Sequence, residues 1–235
     1  MKTAIKYAPQ SLGDVIYPSL AVQTRIDAYA NKALEGNILL WGPNGTGKST
    51  AARLLPVAIG GAHARIEHKD MEELVRMKNL RTYLQSATSV IFLEEGEKLF
   101  IVAEELDTLK GDFANFWKAL DAVQDRVMLI VTTNDAMNIH KSLRSRCGLI
   151  NFPALSARQV LTRAQLILQS EDVHLSDQQV LYWLQLVEST GDLRDYMNKL
   201  DELIYLARNG LALPPLPTVA KSAQCGLSVV PSKKK

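Results

Sequence analysis

Gly42-Pro43-Asn44-Gly45-Thr46-Gly47-Lys48-Ser49 places three glycines, a lysine and a hydroxyl in the spacing GxxxxGK[ST]. Glycines let such a loop curl until successive backbone N–H groups face one point, and a helix starting there adds favourable partial charge for a polyphosphate. The pattern carries that meaning only between a strand and a helix. Both are predicted. Asn37-Ile-Leu-Leu-Trp41 is a short apolar run that suits a strand buried on both faces, and a helix is predicted from Lys48. Gly42, Asn44, Gly45, Thr46, Gly47, Lys48, Ser49 and Thr50 are therefore expected to surround a nucleoside triphosphate. Lys48 would meet the β- and γ-phosphates and Ser49 a Mg²⁺ ion.

Hydrolysis asks for a carboxylate beside the metal and a second to place the attacking water, both at the end of a neighbouring strand. Val90-Ile-Phe-Leu-Glu94-Glu95 has that form, with Glu94 on the metal side and Glu95 on the water side. Val131-Thr-Thr-Asn134 ends a further apolar run in a polar residue aimed where a γ-phosphate or water would lie. Taken alone, Asn134 reads more readily as a turn residue, and Arg146 and Arg194 as ordinary surface arginines.

The elements needed to hold these groups follow from periodicity. Strands are predicted at Asn37–Trp41, Ala64–Glu67, Ser89–Leu93, Val127–Val131 and Leu149–Phe152, and helices at Met71–Leu84 and Phe113–Val123. Strands alternating with helices predict an α/β fold, a parallel sheet with helices on both faces. Beyond Pro153, Ser156–Ser170, Ser176–Glu188 and Asp192–Arg208 are amphipathic helical patterns without an intervening strand, which predicts a small three-helix domain. Asp192 suits its helix's N-cap. The expected division is 1–153 for the nucleotide-binding domain, 154–210 for the helical one and 211–235 for a tail containing Pro, Ser and Lys.

Composition agrees with a globular chain of 235 residues, 47% hydrophobic and 22% charged, with a net charge of +2 that singles out no partner by bulk electrostatics. Cys147 and Cys225 stand apart without a CxxC, and His63, His68, His140 and His174 are scattered, so no metal module or disulfide framework is signalled. Without an apolar run of about 20 residues, a cytoplasmic protein is expected. Trp117, Trp183 and Tyr196 fall on apolar helix faces and are expected in the core.

The order of these motifs, Tyr7-Ala8-Pro9, GPNGTGKS, FLEE, TTN, Ser145-Arg146-Cys147 and Gly191-Asp-Leu-Arg194, resembles the small, ATP-hydrolysing subunits of DNA-polymerase sliding-clamp loaders, a branch of the AAA+ superfamily. The likeness runs from Lys6 to Arg208, and Asp14-Val-Ile-Tyr-Pro18 is closer in style to bacteriophage members. It implies an AAA+ sheet followed by a helical lid, with ATP and Mg²⁺ as cofactors. Val15 and Ile16 would line the adenine pocket, Asn134 would be the first γ-phosphate sensor, and Arg194, on the lid, the second. Arg146 would be an arginine finger reaching a neighbouring subunit's ATP, which implies a homo- or hetero-oligomer of AAA+ subunits in a ring or spiral. DNA and a sliding clamp or other replication protein are the implied partners. Helicase-loader and transposition-type regulators share the P-loop and sensors without needing the Ser-Arg-Cys element. A nucleotide-gated scaffold with little hydrolysis is the reading from outside the enzymes.

Three departures from the family pattern stand out. Glu94 replaces the usual Asp and adds a methylene at the metal site. Ala8 replaces the Arg of Tyr-Arg-Pro. The chain ends 27 residues after Arg208, so no helical collar is expected in it. Lys69, Arg76, Lys78, Arg81 and the terminal Lys233–Lys235 are the candidates for DNA phosphates.

Overall fold

The computed structural model describes residues 2–89, 97–104, 113–135 and 141–211. Five parallel strands, β1 (Asn37–Trp41), β2 (Arg65–Asp70), β3 (Leu99–Glu104), β4 (Val127–Thr133) and β5 (Cys147–Asn151), form one sheet in the order β2-β3-β4-β1-β5. Alternation along the central strands feeds two cores. Leu39, Leu99, Ile101, Leu129 and Val131 pack on one face, and Ile38, Leu40, Phe100, Val102 and Ile130 on the other. Helices cover both. α4 (Met71–Arg76), α5 (Leu80–Ser89), α6 (Ala114–Asp121) and α7 (Lys141–Arg146) contribute to the first core, and α2 (Leu20–Ala30) and α3 (Lys48–Gly60) to the second. β2 lies at an edge, and its charged sequence RIEHKD suits a strand covered on one side only.

Two expectations about elements need correction. The helix predicted over Met71–Leu84 is broken, because Met77 adopts extended backbone (φ −67°, ψ 112°) and caps α4 before α5 begins. The apolar spacing of Leu74, Met77, Leu80 and Leu84 survives the break because each segment turns its own apolar side to the same core. The strand expected at Ser89–Leu93 is not the third strand of the sheet. Ser89 closes α5, residues 90–93 lie outside the described residues, and the place between β2 and β4 belongs to Leu99–Glu104. The runs Val90-Ile-Phe-Leu-Glu-Glu and Leu99-Phe-Ile-Val-Ala-Glu-Glu are alike in pattern, and pairing with β2 and β4 is what distinguishes them.

After β5, α8 (Ala157–Ser170), α9 (Asp177–Gln185) and α10 (Leu193–Arg208) enclose a core of their own that includes Val160, Leu168, Trp183, Tyr196 and Leu200. Gln159 Oε1 accepts from the backbone of Ser156 at 2.7 Å, and Gln179 Oε1 from that of Ser176 at 3.0 Å, so the N-cap N–H of each helix is satisfied. Asp192 caps α10 by accepting from the Arg194 N–H at 2.8 Å. Tyr196 is fully buried, its hydroxyl donates to the Leu155 carbonyl at 2.8 Å, and burial pushes its pKa up to about 12.

The N-terminal segment packs against these helices. α1 (Thr3–Lys6) lies on α10, with both the N–H and the hydroxyl of Thr3 donating to Asp201. Glu171 is a buried carboxylate that gathers Lys6 Nζ and the Tyr7 hydroxyl, each at 2.6 Å, and Arg208. The hydrogen bonds from Lys6 and Tyr7 hold its pKa below the ordinary carboxylate value. Arg163 on α8 reaches Asp14 at 3.4 Å and the Tyr7 carbonyl at 3.2 Å. Among the described residues, no helix is long and apolar enough to cross a membrane.

Candidate nucleotide site

The loop after β1 is shaped by glycines at two points where no other residue fits. Gly42 has φ 143°, and a Cβ there would stand 2.0 Å from the Phe152 carbonyl oxygen. Gly45 has φ 68°, and a Cβ there would stand 1.8 Å from Asp192 Oδ1. The loop is thus pressed between the end of β5 and the first turn of α10. The Gly45 carbonyl accepts from the Leu193 N–H at 2.9 Å, which joins the P-loop directly to the helical domain. Thr46 is buried and its hydroxyl donates to Pro43 O at 3.0 Å. Lys48, also buried, donates from Nζ to the carbonyls of Gly42 at 2.8 Å and Pro43 at 2.6 Å. These bonds place its ammonium inside the curl of the loop.

One cleft is lined by Asn44–Thr50, by Thr132, Thr133 and Asn134 at the end of β4, and by Leu193 and Arg194 at the start of α10. Residues from three distant parts of the sequence therefore meet in one cleft. Val15 is buried beside Gly47 at the start of α3, its Cγ1 being 3.9 Å from where a Gly47 Cβ would stand. Ile16 packs on the core of the helical domain. The pair spans the junction of the two domains.

The acid positions fall differently. Glu94 and Glu95 lie outside the described residues. The strand beside β4 ends at Glu104, which points to the α2/α3 face of the sheet and meets Arg53 of α3, with Nε and Nη2 each 2.7 Å from Oε1. Glu105, next in sequence, lies outside the described residues. Glu104 was not singled out from the sequence because the third strand was expected at Ser89–Leu93, although Leu99–Glu105, five apolar residues followed by two acids, has the same pattern as Val90–Glu95. Ser49 at the head of α3 lines the P-loop cleft and Glu104 a separate one with Arg53, and the two offer a hydroxyl and a carboxylate, hard oxygen donors of the kind that suit Mg²⁺.

Arg146 does not line this cleft. It ends α7 at the opposite edge of the sheet, where a depression also lined by Asn37, Arg65 and Val127 opens beside the strand starts. Its guanidinium carbon lies 5.1 Å from the centroid of the Trp117 ring, and its Nε is 3.7 Å from Asp121. Trp117 is in the core as expected and is fixed by a 2.9 Å hydrogen bond to the Ser142 hydroxyl. Trp183 and Tyr196 are buried too. Of the basic candidates for DNA, Lys69 pairs with Glu73 at 3.6 Å and Arg76 with Glu72 at 2.5 Å, so both are partly neutralised.

A parallel sheet in this strand order, a P-loop between β1 and α3, and polar residues from the end of β4 and the start of α10 lining the same cleft are the features of an AAA ATPase domain. Residues 38–154 match the model of the ATPase family associated with various cellular activities (AAA) and belong to that family. Within it the chain is clamp-loader-like. It is 28% identical over 212 residues to the replication factor C large subunit of Methanosphaera stadtmanae, covering 87% of this chain and 39% of that protein. It is 29% identical over 202 residues to replication factor C subunit 3 of Oryza sativa subsp. japonica, covering 82% and 54%. The chain thus spans about half or less of these two relatives. The fold matches the Thermotoga maritima RuvB Holliday junction branch migration motor with a TM-score of 0.65 at 19% identity, over 86% of this chain and 67% of that one.

Proposed function

We propose that this protein binds and hydrolyses ATP as a subunit of a clamp-loader-like AAA+ assembly in DNA replication. The observation that carries the reading is the convergence of Lys48, Ser49, Asn134 and Arg194 on one cleft while Arg146 sits at the far edge of the sheet. In this reading the loop N–H groups and Lys48 hold the β- and γ-phosphates, and Val15 and Ile16 face the adenine. Ser49 and Glu104 hold Mg²⁺, which supplies charge neutralisation on the phosphoryl oxygens. Glu105 positions the attacking water, Asn134 senses the γ-phosphate beside it, and Arg194 ties the lid to the same phosphate.

In this reading Arg146, which stands apart from its own cleft, acts in trans on another subunit's, and the working unit is an oligomer of AAA+ subunits, alike or different. The similarity to replication factor C subunits supports DNA, and a sliding clamp or another replication protein, as what that oligomer handles. Lys78 and Arg81 are the basic side chains best placed to meet DNA phosphate, next to the paired Lys69 and Arg76.

The test is ATP turnover with and without primer–template DNA. Stimulation by DNA, lost in Glu105→Gln, is expected. Turnover that ignores DNA across a range of salt and protein concentrations would remove replication from the reading and leave an ATPase.

A further inference from the structure

Glu104 differs in length from the aspartate that the clamp-loader resemblance leads one to expect at the metal side. The extra methylene adds a rotatable bond between the strand and the carboxylate, and a free rotor at that point spreads the oxygen over several positions. The structure shows how this rotor is held. Arg53 directs Nε and Nη2 at a single oxygen, Oε1, 2.7 Å from each. Arg53 stands four residues after Ser49 on α3, so the two project from the same side of the helix one turn apart. The carboxylate is only partly exposed, in a cleft formed with Arg53 and with His68, Lys69 and Asp70 at the end of β2, separate from the one that Ser49 lines.

We propose that Arg53 is a positioning residue for the metal side of the site: it fixes Oε1 of Glu104 so that Oε2 is presented toward Ser49 and the nucleotide's Mg²⁺. The inference rests on the assignment of Glu104 to the metal side. A guanidinium suits the task because its planar fork stays charged at any working pH and orients a carboxylate, which a lysine ammonium does less well. A partner holding a metal-ligating carboxylate from behind raises metal affinity without touching the metal. The same contact ties the third strand to the P-loop helix, so the metal-side acid moves with Ser49.

The experiment titrates Mg²⁺ against binding of a fluorescent ATP analogue to the full-length chain, followed by the analogue's fluorescence. Arg53→Ala is expected to raise the Mg²⁺ half-saturation concentration about tenfold, Arg53→Lys less, and neither to change analogue binding in EDTA. Glu104→Gln is expected to raise the half-saturation concentration as well, and adding Arg53→Ala to it to cause no further change. Because the Arg53 side chain is 60% exposed, its truncation spares the core, and thermal melts of each variant verify the fold. If Glu104→Gln shifts the Mg²⁺ dependence and Arg53→Ala does not, the positioning role is wrong while the assignment of Glu104 stands. If Glu104→Gln itself leaves the dependence unmoved, that assignment fails and the positioning role with it. Weaker binding of Arg53→Ala in EDTA would show that Arg53 meets the nucleotide directly, which also overturns the proposal.

Discussion

The two edges of the sheet are built on opposite plans. At the edge where β1 and β4 end, loop, strand and lid close on one another: the P-loop touches Phe152 and Asp192, and Asn134 and Arg194 line its cleft. At the edge where β5 begins, a single arginine rests on an aromatic ring beside a carboxylate, at the rim of a broad depression. In the proposed function the first edge grips polyphosphate and the second offers its cation to a neighbouring subunit's cleft. On that proposal each subunit is half of two active sites.

Breaking the second edge has the largest expected effect. Arg146→Ala should lower ATP turnover about a thousandfold while leaving binding of an ATP analogue intact. An equal loss of binding would place Arg146 in its own cleft after all. Breaking the first edge comes next: Lys48→Ala should weaken nucleotide binding on the order of 100-fold, the scale of losing one charged phosphate donor from a preorganised site. Mixing the two inactive variants sharpens the contrast, because a subunit with an intact cleft beside one with an intact Arg146 should recover part of the turnover. No recovery at any mixing ratio would contradict action in trans.

Gly45→Ala probes the junction of loop and lid. The added methyl must enter the space of Asp192 at a φ of 68°, so a loss of about 1–3 kcal/mol in stability is expected, read as a fall in Tm. The smallest effect concerns Glu171, whose lowered pKa marks stability that is present above its ordinary value of 4.5 and is lost as pH falls through the lower folded value. Thermal melts of Glu171→Gln should accordingly lose part of the acid-side decline seen in the parent protein. An unchanged acid limb would show that other carboxylates set it.

Much of the nucleotide edge was legible in the sequence, because a P-loop is a local signal with strand, turn and helix written within a dozen residues. The three lid helices were legible for the same reason, each with its own cap and apolar stripe. The third strand was not. Two apolar runs ending in paired glutamates compete for one place in the sheet, and only pairing with β2 and β4 settles which occupies it. Nor does sequence show that Trp117, a core residue by pattern, also carries Arg146, since helices α6 and α7 are brought together only by packing on the same face of the sheet.

The Thr3–Asp201 contact joins positions separated by 198 residues, and Lys6 and Tyr7 depend on Glu171 in the same way. A chain emerging N-terminus first would leave those opening residues without a docking place until the last lid helix is made. Closing so long a loop costs about 5 kcal/mol of chain entropy, recovered only when the final helix arrives. Residues 3–7 are thus among the last to settle, and the segment carrying Val15 would reach the adenine position proposed for it only after the lid has folded.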